Sequence, residues 1–555
     1  MNKHFLKFIP LILITGLSCN QLLAGIQKHD PGKTSPDNLR NSGPLKPTSM
    51  LSFSTDVVMK PDTTENQTDV KVAAIFNGWI YSVFTTHNGT ADGIYSIQSK
   101  DHGVTWDTLI SSPGFFYSSD IIVCGMDTNS LDLYLSSIQY DSTTGNHTYW
   151  VTKNNGRTGA FVNLVISEST TDTIYDVALA HDFFHPASVA SPYSIEAVYS
   201  KHGLSEDSII ANISLNGGAT FTDRKIVDTD SGRFGKISLS YGYSPDFPNG
   251  QYFVAYEQHA AGEKYGHIKV SRTGSLVTDT FTIPIFLDSV YASIDDTAWA
   301  NHGSNPSISV QNSATGNDSS GLTAVVLWES AYNGTDDIDC VGAYSFQSGS
   351  STGLWNHCWV DFFLVHTFQP DICYDETHNK FLVTYWDSSD HYLKYYNEDF
   401  NLPNPTLWTQ VISYYNDMVG TLIDPCPQIA FNPLYSSADF AWNEIRSSYR
   451  AALFDAEFSA VGIQEDHTNK FSVIQNYPNP ASDYTLFSFD LDKPQSVLLE
   501  VYDLVGNRIS INENENLAAG SHQFKMDVSH LPAGYYTCTL KTVHDRYSSK
   551  LLVIH

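Results

Sequence analysis

The sequence predicts an all-β protein with two parts, a ring of seven similar sheets and a small β-sandwich at the C-terminus. Three observations support this prediction. The composition combines 13% aromatic and only 16% charged residues with 35 Gly and 23 Pro, which is typical of a turn-rich β protein. Strand-like strings of β-branched and aromatic residues recur at nearly regular intervals, and the last part of the chain has a strand and turn pattern of its own.

The repeat extends over residues 49–460. A short strand-like string opens each unit, and the intervals between these strings are 51, 56, 60, 71, 64 and 57 residues. The strings begin at Asp69, Asp120, Asp176, Lys236, Ser307, Asp371 and Gln428. Seven units of this length match the four-stranded blades of a seven-bladed β-propeller. The last unit lacks an outer strand, and we expect the strand-like segment 49–59 to supply it, because an open ring leaves backbone groups unpaired.

The N-terminus and the charge indicate where the chain acts. Residues 1–25 have a basic start and a short apolar run, as in an export signal, and residues 26–48 read as a flexible spacer. No later stretch has the ~18 apolar residues of a membrane span. The formal net charge of −30 disfavours nucleic acid and anionic membranes as partners.

The turn between the third and fourth strands of the first unit has a distinctive pattern. It reads SKDHGVTW, and its pattern residues are Ser99, Asp101, Gly103, Thr105 and Trp106. A second copy, SLNGGATF, carries the pattern at Asn216, Gly218 and Phe221. An Asp or Asn side chain accepts backbone N–H bonds across such a turn, and Gly permits positive φ. These residues resemble the Asp-box (BNR) turns of sialidase-like β-propellers. The resemblance covers about residues 50–460 and implies a structural role for the box residues, away from the ligand face.

Resemblance to sialidases also implies an arginine trio that binds a carboxylate. That trio is not identifiable in this sequence, because Arg157 and Arg272 lie in Asp-box-type turns and no three arginines plainly converge. We therefore do not expect sialic acid hydrolysis.

An acidic or amide residue follows an aromatic one at the end of the second strand in four successive units. The acidic or amide residues are Glu257, Glu329, Asp387 and Asn443, and Glu444 is adjacent to the last. Three hypotheses remain open. In the first, the set serves blade packing; in the second, Trp328, Trp386, Trp442 and Glu444 bind a ligand; in the third, Glu257, Glu329 and Asp387 perform acid/base chemistry on a glycan. Histidines such as His87, His202 and His259 recur on the same face, as solvated loop residues or as metal ligands.

Metal and disulfide signals are weak. Residues 228–232, DTDSG, resemble a fragment of a calcium loop whose other ligands are absent, so we expect no cofactor, with Ca²⁺ the one candidate. Cys340 and Cys358 lie symmetrically about Gly349, and in a hairpin they form either a disulfide or two packed thiols.

Residues 470–555 follow a short joint, 461–469, and form a separate module. The motifs NYPNP, YDLVGNRI, GSHQF and LPAGYY, with alternating strands between them, predict a small antiparallel, Ig-like β-sandwich. They resemble the type A C-terminal sorting domain of the type IX secretion system. The resemblance implies a Bacteroidota bacterium, recognition of the tail by the secretion machinery, and passage through the periplasm to the cell surface or the medium.

We therefore expect a secreted or cell-surface propeller. No catalytic motif is identifiable, which favours a non-catalytic module that binds a glycan or a surface partner. The alternative is a glycoside hydrolase or lyase that uses the acidic ring.

Overall fold

A computed structural model describes most of the chain, and its residues fall into two compact units, Met1–Phe458 and Ser459–His555. The described residues are 52–53, 56–61, 66–87, 92–125, 130–182, 193–221, 224–244, 247–260, 262–273, 280–292, 302–312, 322–335, 337–345, 355–360, 366–389, 392–398, 413–416, 420–446, 449–458, 475–477, 481–491, 495–502, 508–518, 520–532, 534–541 and 546–553. The predicted export signal, spacer and interdomain joint lie outside these residues.

The first unit contains two short leading strands, β1 (Ser52–Phe53) and β2 (Val57–Val58), and then successive antiparallel sheets, which we call blades. Blades 1 to 3 consist of β3 (Asn66–Ala74), β4 (Ile80–His87), β5 (Gly93–Ser99) and β6 (Asp107–Pro113); β7 (Phe115–Cys124), β8 (Asp132–Asp141), β9 (Asn146–Asn155) and β10 (Phe161–Thr170); and β11 (Thr173–His181), β12 (Ile195–His202), β13 (Asp207–Ser214) and β14 (Lys225–Asp230).

Blades 4 to 7 continue the same order. They consist of β15 (Arg233–Ser244), β16 (Phe247–His259), β17 (His267–Arg272) and β18 (Ile285–Phe286); β19 (Gly303–Val310), β20 (Ala324–Ala331), β21 (Ile338–Ser345) and β22 (Asn356–Trp359); β23 (Thr367–Asp375), β24 (Lys380–Asp387), β25 (Tyr392–Glu398) and β26 (Ser413–Tyr414); and β27 (Gln428–Asn432), β28 (Ser437–Arg446) and β29 (Tyr449–Phe458). A helical turn, α1 (Ser289–Ala292), and a 3₁₀ turn (Tyr332–Gly334) complete the described elements of this unit. Every predicted opening string lies in the first strand of a blade, which confirms the seven-bladed propeller.

The leading strands close the ring, as the sequence predicts. β1 pairs with β29 of blade 7, through Ser52 opposite Phe458, and β2 pairs with the same strand, through Val57 opposite Phe454. Met59 follows with its N–H bonded to the carbonyl of Ala452 at 3.0 Å. The last blade thus obtains its outer edge from the start of the chain, which leaves that edge of β29 paired instead of open.

The apolar core is divided among the contacts between neighbouring blades. Separate buried clusters join blade 1 to 2, 2 to 3, 3 to 4, 4 to 5, 5 to 6 and 6 to 7. A further cluster joins blade 7 back to blade 1 and includes Met59, Val70, Ile80 and Phe454. Middle strands are therefore buried on both faces, which explains why β20 is buried at all eight positions.

The aspartates that open four of the repeat strings bond neighbouring inner strands together. Asp120 accepts the N–H of Leu179 at 2.7 Å, Asp176 accepts that of Ile237 at 2.9 Å, and Asp371 accepts that of Ile429 at 2.9 Å, each in the following blade. Asp69 likewise accepts the N–H of Ser119 in the following blade at 2.6 Å. The repeat of this residue along the sequence therefore has a structural cause.

The first turn with the Asp-box-like pattern is held by its own side chains. Asp101 accepts the N–H and the hydroxyl of Thr105 at 2.8 and 2.6 Å, and Ser99 Oγ accepts the N–H of Gly103 at 2.8 Å. Burial acts to raise the pKa of Asp101, but these hydrogen bonds outweigh it and hold the pKa below its usual value. Trp106 Nε1 donates to the carbonyl of Gly103 at 3.0 Å.

The second turn repeats this arrangement. Asn216 accepts the N–H of Thr220 at 2.9 Å, and Gly218 donates to Ser214 Oγ at 2.9 Å. The neighbouring Gly217 carbonyl accepts the hydroxyl of Tyr134 in blade 2 at 2.8 Å, so the turn also contacts the preceding blade. Phe221 packs against the core cluster between blades 2 and 3.

Cys340 and Cys358 are present as thiols and not as a disulfide. The hairpin that contains them exists, since β21 pairs with β22, but its register places Cys358 opposite Gly342. The carbonyl of Cys340 instead accepts the N–H of Val360 at 3.2 Å. The two cysteines are therefore offset by two positions along the strands. Their symmetry about Gly349 does not bring them face to face, because the register of β21 and β22 does not pair them.

The second unit is a two-sheet sandwich, as predicted. One sheet has the order β30 (Gln475–Tyr477), β31 (Tyr484–Leu491) and β34 (Gly520–Asp527), and the other has the order β33 (Arg508–Leu517), β32 (Gln495–Tyr502), β35 (Gly534–Lys541) and β36 (Arg546–Val553). Phe487 and Phe524 of the first sheet and Val501 and Leu540 of the second share one buried cluster, which also includes Cys538.

Candidate functional site

The ends of the second strands lie at the edge of the ring opposite the Asp-box-like turns. In blade 1, Ile80 at the start of β4 pairs with Ser99, where the turn begins, whereas His87 at the end of β4 pairs with Asn66. Glu329 lies at the corresponding end of β20. We call this edge of the ring the mouth.

The inner strands of six blades have an irregular pairing step close to the mouth. These steps fall between Thr68 and Lys71, Phe116 and Ser118, Ile174 and Asp176, Phe234 and Ile237, Ser304 and Ser307, and Phe368 and Asp371. Asn305 and Gln369 have φ values of 50° and 53° there, which are uncommon for residues other than glycine. Bulges of this kind release backbone N–H groups from the strand ladder and make them available to other partners.

Glu257 and Glu329 use these released groups. Glu257 accepts the N–H of Asn305 in the next blade, and Glu329 accepts the N–H of Gln369 in the blade after that, at 2.9 Å. Their exposures are only 5% and 6%. Burial raises the pKa of Glu329 above 4.5, and Glu257 raises it further, against hydrogen bonds from Asn305, Gln369 and Ser304. Both carboxylates therefore join neighbouring blades.

Asp387 has a different environment. It is fully buried and forms an ion pair with Lys394 at 2.5 Å, which is 2% exposed. The N–H and hydroxyl of Ser389 also donate to it, at 2.8 and 2.6 Å. These partners lie within its own blade, so the carboxylate stabilises the β24–β25 hairpin.

Two of the three tryptophans proposed as ligand contacts have no exposed ring face. Trp328 and Trp442 are fully buried, whereas Trp386 is partly exposed and packs on Phe368 with ring centres 5.4 Å apart. Glu444 is also buried; it accepts Trp442 Nε1 at 3.2 Å and pairs with Arg446 at 3.2 Å. Of this set, Trp386 alone offers a partly exposed aromatic ring near the mouth.

A cavity of about 520 Å³ lies between blades 7 and 1 at the mouth. Its lining residues are Asn66, Thr68, Asp69, His87, Asp424, Cys426, Asn443, Ile445, Tyr449 and Arg450. This volume is within the range of small-molecule sites in proteins, about 300–1,000 Å³. Most of the lining residues have polar side chains, which include carboxylates, amides, an imidazole, a guanidinium group and the phenol of one tyrosine.

Hydrogen bonds fix several lining residues in position. Arg450 donates from Nη1 to the carbonyl of Asp424 at 2.9 Å and from its N–H to Asn66 Oδ1 at 2.9 Å. Asp424 also accepts the side-chain amide of Gln369. Asp69 accepts hydrogen bonds from both the hydroxyl group of Ser119, at 2.9 Å, and the backbone N–H of Ser119. The charged groups of the cavity are thus held before any ligand arrives.

His87 and Cys426 are both uncharged at neutral pH. Burial lowers the pKa of His87, although Asp92 and Asp69 act in the opposite direction. Its Nε2 lies 3.3 Å from Thr85 Oγ1, and its buried Nδ1 has no hydrogen-bond partner among the described residues. Burial raises the pKa of Cys426 to about 12, so this thiol is protonated and is not a nucleophile.

The segment proposed as a calcium-loop fragment has protein partners instead. Asp228 accepts Lys269 Nζ at 2.9 Å and the hydroxyl of Tyr256 at 2.8 Å. Within the described part of the chain, no group of three His, Cys, Asp or Glu side chains has the arrangement of a metal site.

Sequence reasoning found the mouth but not the cavity. It selected Asn443 and His87 as residues at the ends of second strands, and both line the cavity. It missed Asp424 and Tyr449, because the contact that joins Asn66 to Arg450 spans 384 positions of sequence. The available signal was the predicted ring closure, which brings the first and last blades together.

Comparison with known proteins identifies the tail. Residues 475–554 match the family described as the secretion system C-terminal sorting domain. This domain belongs to the type IX secretion system and directs the chain to export, so the protein is secreted or displayed at the cell surface. No helix among the described residues is long and apolar enough to cross a membrane. Curated proteins give no match to the chain.

Several solved structures have a similar architecture. A protein of unknown function from Dyadobacter fermentans DSM 18053 is 10% identical over 73% of this chain and 98% of that one, with a TM-score of 0.41. An α-L-arabinanase from Penicillium chrysogenum, complexed with arabinobiose, is 11% identical over 73% and 98%, with a TM-score of 0.40. The polysaccharide lyase Uly1 is 8% identical over 77% and 95%, with a TM-score of 0.42. Similarities this low give no information about the activity of this chain.

Proposed function

We propose that this exported propeller binds a glycan in the cavity between blades 7 and 1 and does not cleave it. The lining of the cavity carries the proposal. Asp69 and Asp424 offer hydrogen-bond acceptors, Arg450 offers donors, and Tyr449 offers an aromatic ring. Sugars combine hydroxyl groups, which donate and accept, with C–H faces that pack on aromatic rings.

The size of the cavity favours a sugar over a protein partner. A stable protein interface needs roughly 800 Å² from each partner, centred on buried apolar anchors. The cavity is concave, most of its lining residues have polar side chains, and its volume of about 520 Å³ is that of a small-molecule site.

The partners of the acidic residues at the mouth argue against catalysis by them. Glu257 and Glu329 accept backbone N–H groups of the next blade, and Asp387 is paired with Lys394. A general acid or base needs access to substrate. Glu257 and Glu329 already join neighbouring blades, and Asp387 already stabilises a hairpin within its own blade.

The binding proposal is tested with a glycan array, followed by calorimetric titration of each bound glycan. Arg450→Ala removes a charged donor, and such bonds contribute about 1.5–3 kcal/mol, so we expect at least a tenfold loss of affinity. Arg224→Ala is the matched control, since Arg224 is about half exposed on blade 3 and is not a cavity residue. Equal affinity of Arg450→Ala and the unaltered chain would contradict the proposal.

The alternative is a glycoside hydrolase or lyase, and one observation favours it. Asp69, Asp424 and the neutral imidazole of His87 line the same cavity, and acid/base cleavage of glycans uses groups of this kind. Release of reducing or unsaturated sugar ends by the unaltered chain, lost in Asp424→Asn and His87→Gln, would establish this alternative. Binding without any release would support the proposal.

A further inference from the structure

Aromatic side chains continue from the cavity along the mouth edges of blades 2 and 3. The ring centre of Phe115 lies 4.9 Å from the ring centre of His87, which lines the cavity. It lies 6.4 Å from the ring centres of both Tyr117 and Tyr140. His147 continues the row, with its ring 4.9 Å from that of Tyr140.

The row reaches blade 3 through a direct contact. The hydroxyl group of Tyr117 donates a hydrogen bond to the carbonyl of Ile174, and its oxygen lies 2.7 Å from His147 Nδ1. The next residue, Tyr175, stacks on His202 with ring centres 5.5 Å apart and planes only 11° apart. Tyr117 and Tyr175 precede Ser118 and Asp176 at the irregular steps of β7 and β11, so the same bulge places an aromatic residue in each blade.

The two ends of this row, Phe115 and Tyr175, are exposed where a folded chain normally buries such side chains, and Tyr117 and Tyr140 between them are half-buried. Phe115 and Tyr175 are each 43% exposed, although each packs against a histidine. Exposed aromatic groups that are continuous with a cavity mark a binding surface. Imidazoles alternate with the aromatic rings here, so the surface offers both flat apolar faces and hydrogen-bonding groups.

We infer that this aromatic row, Phe115, Tyr117, Tyr140 and Tyr175, binds successive units of an uncharged polysaccharide whose end occupies the cavity. The inference rests on the proposed glycan binding and adds the length and charge of the ligand. Each sugar ring places a C–H face on an aromatic ring and its hydroxyl groups toward the imidazoles.

The charge of the protein selects an uncharged chain. The formal net charge is −30, and the cavity next to the row contains two carboxylates, those of Asp69 and Asp424, against one guanidinium group, that of Arg450. Such a surface repels the carboxylates of a uronic acid polymer, whereas it does not repel a neutral polymer. Neutral polysaccharides thus fit the row better than acidic ones.

The test measures the affinity of the full chain for xylose, arabinose and glucose oligomers of two, four and six units, with oligogalacturonates as the acidic probe. We expect affinity to rise with the length of a neutral oligomer. Phe115→Ala and Tyr175→Ala should each weaken binding of hexamers about tenfold, which corresponds to about 1.4 kcal/mol, and leave that of dimers unchanged. Phe161→Ala is the control, because Phe161 is 65% exposed on the outer strand of blade 2.

The outcomes separate this inference from the proposed function. If hexamers bind no better than dimers, or if both row variants bind hexamers like the unaltered chain, the row is not a binding surface, while loss of binding in Arg450→Ala still supports the cavity. Tighter binding of oligogalacturonates overturns the selection by charge. Failure of the unaltered chain to bind any of these oligomers overturns this inference, and failure to bind any glycan of the array overturns the proposed function as well. Unfolding midpoints of each variant, measured alongside, identify any loss that comes from misfolding.

Discussion

At the scale of single residues, the mouth is built from side chains that bond backbone groups of a neighbouring blade. Glu329 is the clearest example, because burial and the nearby Glu257 raise its pKa while hydrogen bonds from Gln369 and Ser304 oppose the rise. A carboxyl group with a raised pKa in such a position is a usual sign of catalysis. Here it accepts the backbone N–H of Gln369 in the next blade, which indicates a structural role.

The titration of Glu329 gives a pH-dependent prediction. Because its pKa is raised in the folded chain, the proton is held more tightly there than in the unfolded chain. This contribution to stability is fully present below pH 4.5 and is lost as the pH rises through the raised pKa. Glu329→Gln keeps the acceptor for Gln369 but does not titrate. Its free energy of unfolding should therefore improve relative to the unaltered chain as the pH rises from about 4 to about 7. Thermal unfolding at a series of pH values measures this; parallel curves for the two chains would refute it.

Substitution of Gly103 tests the contact between the first Asp-box-like turn and blade 7. A Cβ at this position would lie 2.0 Å from Phe454 Cε1, and φ is +86°. Gly145 also has positive φ, +72°, but a Cβ added there would meet nothing within 4 Å. Gly145→Ala should lower the free energy of unfolding by about 1 kcal/mol, which is the cost of a side chain at positive φ. Gly103→Ala should lower it by about 3 kcal/mol, because crowding against Phe454 adds to that cost. Denaturant unfolding compares them, and equal losses would show that Phe454 moves aside freely.

At the scale of elements, the ring depends on strands from both ends of the propeller sequence. β2 pairs with β29, and Met59 joins the cluster between blades 7 and 1. Asp56 also pairs with Arg446 of β28 at 3.2 Å. The same junction forms the cavity, so ring closure and the binding site share one interface.

Removal of the leading strands should therefore weaken the whole propeller. A chain that begins at residue 61 loses β1, β2 and Met59, and the loss of one buried Met side chain alone costs about 2–5 kcal/mol. We expect a lower thermal midpoint and weaker glycan binding than in a chain that begins at residue 49, which keeps both strands. Equal midpoints for the two truncated chains would mean that β1 and β2 contribute nothing to closure.

At the scale of the whole molecule, the two units have separate cores and separate tasks. The cluster that fills the sandwich contains only residues between Ala481 and Val553, from both of its sheets. The family match also lies within this unit, at residues 475–554. The tail thus contains the sorting signal of the type IX secretion system, and the propeller is the cargo.

A fusion tests this division. Residues 470–555 attached to an unrelated periplasmic reporter should carry the reporter to the cell surface or the medium of a type IX-competent bacterium. The propeller without the tail should stay in the periplasm. Fractionation with immunodetection measures both. A Phe487→Asp tail is the control, because a charge in the sandwich core disrupts its packing. Release of the tailless propeller would contradict the assignment.

The limits of sequence reasoning are visible in particular residues. Alternation and turn spacing predicted the blades, because strand period and turn chemistry are local properties of the chain. The same local patterns placed Trp328 and Trp386 in equivalent positions, yet one is fully buried and the other partly exposed. Exposure depends on the neighbouring blade, whose side chains differ, and no local pattern contains that information.

The sequence by itself determined the number of blades, the closure by the leading strands, the sandwich and its use in export, since each follows from repetition or from a contiguous motif. Tertiary structure alone decided the partners of Glu257, Glu329 and Asp387, the thiol state of Cys340 and Cys358, and the existence of the cavity. The physical reason is distance along the chain. Asn66 and Arg450 become neighbours only after the ring has closed, so a site formed by that junction has no local signature.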